Sequence, residues 1–186
     1  GDKRPSGWDI CGCRFADKLG SPEAVGEGAF IRARQKLGTR KIDTQKCPMI
    51  VENRTVGRLL GGLVGAANGR SLQQKRSFLE GLEGKPVASE IFSIIDDPFI
   101  PSGFGSRLFD SEGISAKELP IIEKGVFKNF YIDTYYGKKL KRPPTTGSRS
   151  NLVIEPGKRS LEELVGDIDQ GILVRGFIGG NTNSTT

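Results

Sequence analysis

The chain has 186 residues, 35% hydrophobic and 27% charged, a balance that fits a globular chain with a core of its own rather than a disordered one. It contains no histidine, so within it Ser-His-Asp and Cys-His catalysis, HExxH-type zinc sites and any imidazole base are excluded. The formal charge of +6 is mild and fits a solvated basic surface as well as an acidic or nucleic-acid partner.

Residues 1–19 read as an irregular lead-in, with Trp8 and Phe15 as anchors. Ser21-Pro22-Glu23 then opens a helix over 22–37: serine can cap, proline suits the first helical position, and glutamate favours the positive end of the dipole. Arg32, Arg34 and Lys36 crowd its last turn and Gly38 can close it. Met49-Ile50-Val51 is a short buried strand. A second helix follows over 55–68, with Leu59, Leu60, Leu63, Val64 and Ala67 as its apolar residues.

Glycine is the peculiarity of that second helix. Gly57, Gly61 and Gly65 recur at every fourth position, with Gly62 beside them. Each interior glycine costs about 0.5–1 kcal/mol relative to alanine, so the stripe predicts close approach of another backbone. A third helix is expected over 71–82, carrying Leu72, Phe78, Leu79 and Leu82.

Beyond Gly84 the pattern turns to strands. Ser89 to Ile95 is β-branched and apolar, and Asp96-Asp97-Pro98 ends it. Phe99 to Gly113 is a glycine- and proline-rich loop. Leu119–Glu123 and Val126–Ile132 flank Lys124-Gly125, a hairpin signature. Lys138 to Gly147 reads as a basic loop with two prolines, and Asn151–Ile154 as a strand. Ser160-Leu161-Glu162-Glu163 is a capping box for a helix to about Ile168, and Ile172–Ile178 is the last strand. Helices first and a largely antiparallel sheet afterwards make the fold class α+β.

Little in the chain points to independent chemistry. Gly65-Ala66-Ala67-Asn68-Gly69-Arg70-Ser71 misses a phosphate-binding loop by one spacer residue and by arginine for lysine. Gly26 and Gly28 lie inside the first helix and lack the third glycine of a dinucleotide fingerprint. Asp96-Asp97 could ligate a metal, but adjacent carboxylates before proline more often end a strand. Cys11 and Cys13 are a C-x-C pair with only Cys47 besides, not the usual zinc or redox spacing. Free thiols, no signal peptide and no run near the ~18 apolar residues of a membrane span suggest a cytoplasmic, membrane-free protein.

Three stretches, in order, resemble the TldD/PmbA family, also called modulators of DNA gyrase. The first is Gly113 and Ile121-Ile122-Glu123-Lys124-Gly125-Val126-Phe127-Lys128-Asn129-Phe130-Tyr131-Ile132-Asp133-Thr134-Tyr135. The second is Thr146-Gly147 with Asn151-Leu152-Val153-Ile154-Glu155-Pro156-Gly157, then Ser160 and Glu162-Glu163-Leu164. The third is Gly171-Ile172-Leu173-Val174 and the closing Gly179-Gly180-Asn181-Thr182-Asn183-Ser184-Thr185-Thr186. Together they cover about residues 20 to 186, which would then form one family-type domain after the lead-in.

The resemblance implies more than the fold. Catalytic TldD members carry an H-E-x-x-x-H helix that holds zinc. Here Gly61, Gly62, Leu63, Val64, Gly65 and Ala66 stand in that region, so both histidines and the glutamate are missing. That resembles the PmbA/TldE branch, the partner subunit of the TldD/TldE metalloprotease. The chain is then expected to hold no cofactor, zinc belonging to a TldD-type catalytic subunit. Expected partners are that subunit, or a second copy in a dimer, and an unfolded peptide. The resembling segments offer Thr146, Gly147, Asn151, Gly179, Gly180 and Asn181 as peptide- or partner-binding positions. Family members are about twice as long, so the chain reads as a fragment, truncated at both ends. The competing reading, a direct modulator of gyrase or another DNA-associated protein, has only the basic run Lys138-Lys139-Leu140-Lys141-Arg142 in its support.

Overall fold

The computed structural model describes residues 4–177 and 179. The chain divides into two compact units, Gly1–Lys46 and Cys47–Thr186, so the first helix groups with the lead-in residues.

In the first unit, helix α1 spans Pro22–Arg34, with Ser21 Oγ accepting from the Ala24 amide at 3.2 Å. It ends three residues before the expected Leu37, and turns lead to Gly38 in the left-handed region at φ +71°. Backbone proximity and polar contacts tie the lead-in to α1. Gly7 passes so close that a Cβ there would lie 2.5 Å from the Ala33 nitrogen. Lys36 Nζ donates to the Ser6 carbonyl at 2.6 Å, and Asp9 pairs with Arg32 at 3.8 Å. The expected anchors do not serve as such: Trp8 is 74% exposed and Phe15 50%.

The second unit carries the core. Its elements are β1 (Met49–Val51), α2 (Asn53–Ala66), α3 (Gly69–Gln73), β2 (Ile94–Asp96), β3 (Leu119–Glu123), β4 (Val126–Phe127), α4 (Thr134–Leu140), β5 (Leu152–Ile154), α5 (Leu161–Gly166) and β6 (Ile172–Val174). A four-stranded antiparallel sheet runs β4-β3-β2-β5, and β1 pairs with β6 in parallel. The α+β class is as the sequence reads.

The core forms where the sheet meets the end of α2. Ala66, Ala67, Ile94, Ile121, Ile122, Phe127, Phe130 and Ile132 are all at most 2% exposed. Phe127 and Phe130 meet edge to face at 4.9 Å between ring centroids. At the hairpin, Lys124 and Gly125 have φ of +47° and +78°, the pairing that a tight two-residue turn requires. Gly125 also lies under the Ala88 carbonyl, where no Cβ would fit.

Several expected elements are shorter, each for a local reason. The helix expected over 71–82 stops at Gln73. Lys75 turns left-handed at φ +54°, and Ser77 Oγ donates to the Ala66 carbonyl at 2.6 Å while accepting from Leu79. Buried Leu72 is thus the last apolar residue of α3, and buried Leu79 sits on a turn that merely shares its helical spacing. Residues 89–93 are not strand, because the Phe92 amide closes a turn onto Ser89 and the Phe92 carbonyl receives Gly125. The chain leaves the ladder after Phe127, and Asn129 Nδ2 donates to the Pro120 carbonyl at 2.8 Å.

Tyr131 then pairs with the α2–α3 junction instead. Its amide donates to Ala67 at 2.8 Å, and Gly69 donates to its carbonyl at 2.7 Å. The basic segment from Lys138 is not wholly loop, since α4 runs to Leu140. Asp133 caps it by accepting from the Tyr136 amide, and Lys141 ends it at φ +54°. The last strand stops at Val174. The capping box at Ser160 forms as read, with both hydrogen bonds present.

Candidate functional site at the glycine helix

α2 is amphipathic in an unusual way. Leu60, Leu63 and Val64 pack against the core and Ala66 is fully buried. The opposing stripe of Gly57, Gly61 and Gly65 is exposed. A Cβ at any of these three would meet nothing within 4 Å. The backbone contact that the stripe predicts is therefore absent within the described chain.

What lies over part of the stripe is an open cleft of about 480 Å³. Gly61, Val64 and Gly65 of α2 form one side, the α3 cap Asn68 with Arg70 and Ser71 of α3 the end, and Tyr131, Gly147, Ser148 and Arg149 the other side. Ser71 Oγ donates to the Gly65 carbonyl at 2.8 Å, and Asn68 Oδ1 accepts from the Arg70 amide at 2.8 Å. These bonds make Gly65–Ser71 a helix-to-helix junction and not a phosphate cradle.

The far wall is held by Thr146 and Asn151 together with side chains that the sequence did not single out as a site. Arg107 donates to Thr146 Oγ1 at 3.1 Å, Ser148 Oγ at 3.1 Å and the Arg149 carbonyl at 3.4 Å. Asp96 accepts from the Ser150 amide at 2.8 Å and from the Ser150 hydroxyl at 2.7 Å. Asn151 Nδ2 donates to the Asp97 carbonyl at 2.8 Å and to Ser106 Oγ at 2.9 Å, while its Oδ1 accepts from the Gly105 amide at 2.8 Å. The segment 146–151 is thus a braced loop between α4 and β5.

Two groups behind this wall are electrostatically unusual. Burial pushes the Asp96 carboxyl above the ordinary aspartate range; the Ser150 hydrogen bonds and the Arg107 charge pull it back only in part. Burial, reinforced by Asp96, raises Tyr131 well above the ordinary tyrosine range and keeps its hydroxyl neutral. Tyr131 is 2% exposed, and its Oη faces the Asp96 carboxylate, which also accepts from Ser150.

The structure brings Gly61, Gly65 and Gly147 to one cleft. Ala66 is buried beneath it, Gly62 is half-buried on the same helix, and Thr146 and Asn151 brace the loop. Gly179 has a left-handed φ of +70°; Gly180 and Asn181 lie outside the described residues. Sequence reasoning missed Arg107, Ser150 and Tyr131, and weighed Asp96 only as a metal ligand. The one available signal was a carboxylate at the end of an apolar strand, and it reads more simply as a strand terminator.

A family zinc does not fit these residues. The three motif positions, Gly61, Gly62 and Ala66, carry glycine or alanine, the chain has no histidine, and among the described residues no three Cys, Asp or Glu cluster as ligands. Cys11, Cys13 and Cys47 are free. Among the described residues no helix is long and apolar enough to cross a membrane.

Comparison with known proteins bears on the family and the fold. Residues 44–186 match the family model described as PmbA/TldA metallopeptidase C-terminal domain. The chain is 32% identical over 176 residues to a metalloprotease PmbA homolog of Haemophilus influenzae, covering 93% of this chain and 39% of that protein. It is 30% identical over 175 residues to metalloprotease PmbA of Escherichia coli O157:H7, with the same coverage. Among solved structures, it is similar to a Bacteroides thetaiotaomicron protein named as a candidate modulator of DNA gyrase (TM-score 0.95, 37% identity, 100% of this chain and 42% of that one). It is also similar to TldE of Thermococcus kodakarensis (TM-score 0.78, 30% identity, 88% and 40%). The chain spans about two fifths of the length of these relatives. In the order of its elements and in the match over most of its length, the chain belongs to the TldD/PmbA metallopeptidase family.

Proposed function

We propose that the protein is a non-catalytic subunit or homologue in the TldD/TldE peptidase system, binding a TldD-type subunit or a second copy and holding an unfolded peptide. One observation carries the reading: the helix positions resembling the zinc motif bear no donor side chain and instead form one side of an open cleft. A smooth helix face of this kind accepts a backbone at close range. The neighbouring strand β5 pairs only with β2 among the described residues, so its other edge is free to take an added peptide strand. Asn151, just before β5, links that edge to the braced loop.

The experiment is reconstitution. Mixed with a TldD-type subunit, the protein should raise cleavage of an unfolded peptide, and alone it should show none. Cleavage by the protein alone, surviving a chelator-treated control, would overturn the reading.

The DNA-associated alternative rests on the basic run near α4, and that run is partly engaged. Arg142 pairs with Glu83 and lies over the Phe130 ring at 5.6 Å, and Lys139 lies over Tyr135 at 4.6 Å. Any DNA binding is accordingly expected to be weak, unselective and steeply reduced by salt.

A further inference from the structure

We infer that the cleft beside α2 recognises a carboxylate of the bound peptide through Arg70 and Arg149; this rests on the peptide-holding reading above. Several observations meet there. Both arginines line the cleft and are exposed, and neither guanidinium is ion-paired among the described residues. No acidic residue lines it. Asp96, the carboxylate described behind the wall, is engaged by Ser150 through three hydrogen bonds. The inner wall is Tyr131, 2% exposed, with its neutral hydroxyl directed to Asp96 behind the wall and adding no charge to the cleft.

A cationic rim over an unfilled glycine face is suited to a chain whose backbone lies flat and whose negative group is held at one end. Guanidinium offers a planar pair of donors that matches carboxylate geometry. The open stripe matters to the same end, because Gly61 and Gly65 leave room that any larger side chain would take. A duplex would supply phosphate to the same arginines, but the cleft is a single concavity with one small rim, not a stripe of cations spaced along a backbone. A peptide is the better occupant.

The test is calorimetric titration of the purified chain with short unstructured peptides of one sequence in three forms. One has acidic side chains and a free terminus, one has the terminus amidated, and one has every carboxylate replaced by an amide. Carboxylate recognition predicts about tenfold weaker binding when the recognised group is removed, the size of one charge-assisted contact. The second form shows whether that group is terminal or on a side chain. The same loss should appear in R70Q/R149Q with the acidic peptide. The all-amide peptide should bind that variant as it binds the wild type, which also reports that the variant is folded. K158Q, at an exposed lysine in the loop before α5, should change nothing. Equal binding of all three peptides would overturn the inference and leave peptide holding intact. No binding of any peptide would remove both. Tighter binding of a short DNA duplex through the same two arginines would replace carboxylate by phosphate.

Discussion

A buried aspartate that braces a loop has a pH signature, and Asp96 is the residue to read it on. Its carboxyl is 2% exposed and shifted upward by burial. Between the ordinary aspartate value of about 3.9 and the raised native value, the folded state therefore binds more protons than the unfolded state. Stability must then fall as pH rises through that window. Urea midpoints measured across it should show a falling contribution in the wild type that Asp96→Asn lacks; an unchanged slope in the variant would remove the assignment. Asp96→Ala is a different perturbation. It leaves the partly buried Ser150 amide and hydroxyl without their acceptor, and a loss of about 1–3 kcal/mol is expected in equilibrium denaturation.

At the scale of elements, the glycine stripe is the place where a reading from sequence and the structure separate. Periodicity correctly gave α2, and the glycines argued for a close backbone. Within the described chain that backbone is missing, because a stripe records the need for an approach without recording which chain makes it. Gly61→Ala should therefore stabilise the isolated protein by about 0.5–1 kcal/mol through helix propensity, measured by denaturation. The same change should weaken peptide or partner binding. Destabilisation of the isolated protein would mean that the stripe is already covered. The other elements were legible in proportion to their local signals. The capping box at Ser160 and the turn at Lys124-Gly125 formed as read because both are set by neighbours in sequence. The length of helix α3 and the run 128–132 were misread because Leu79, Phe130 and Ile132 are buried by tertiary contacts that share a spacing with helix or strand without belonging to either. The site was half legible. Gly61, Gly65 and Gly147 came from the family pattern, whereas Arg107, Asp96 and Tyr131 act from positions far apart in sequence that only the fold unites.

For the molecule as a whole, the family carries a metallopeptidase name, and the described residues of this chain carry no matching donor set. Elemental analysis of the purified protein should find far less than one tightly held zinc per chain, with or without zinc in the growth medium. A stoichiometric metal would require ligands that neither the motif helix nor the three cysteines provide in a recognised arrangement.

The parallel pair of β1 and β6 sets an order of events on the chain. Met49, Ile50 and Val51 lie beside Ile172, Leu173 and Val174, so three short rungs close nearly the whole length of the second unit. Closing so long a loop costs entropy that three half-exposed rungs do not repay until the antiparallel sheet has brought their ends together. The clasp should form late and open first. In native-state hydrogen exchange, the amides of Glu52 and Ile172, which bond to Val174 and Pro48 across the clasp, should exchange through a partial opening. Those of Ile121 and Ile122 should wait for global unfolding. Equal opening free energies at both places would show that clasp and sheet rise and fall as one.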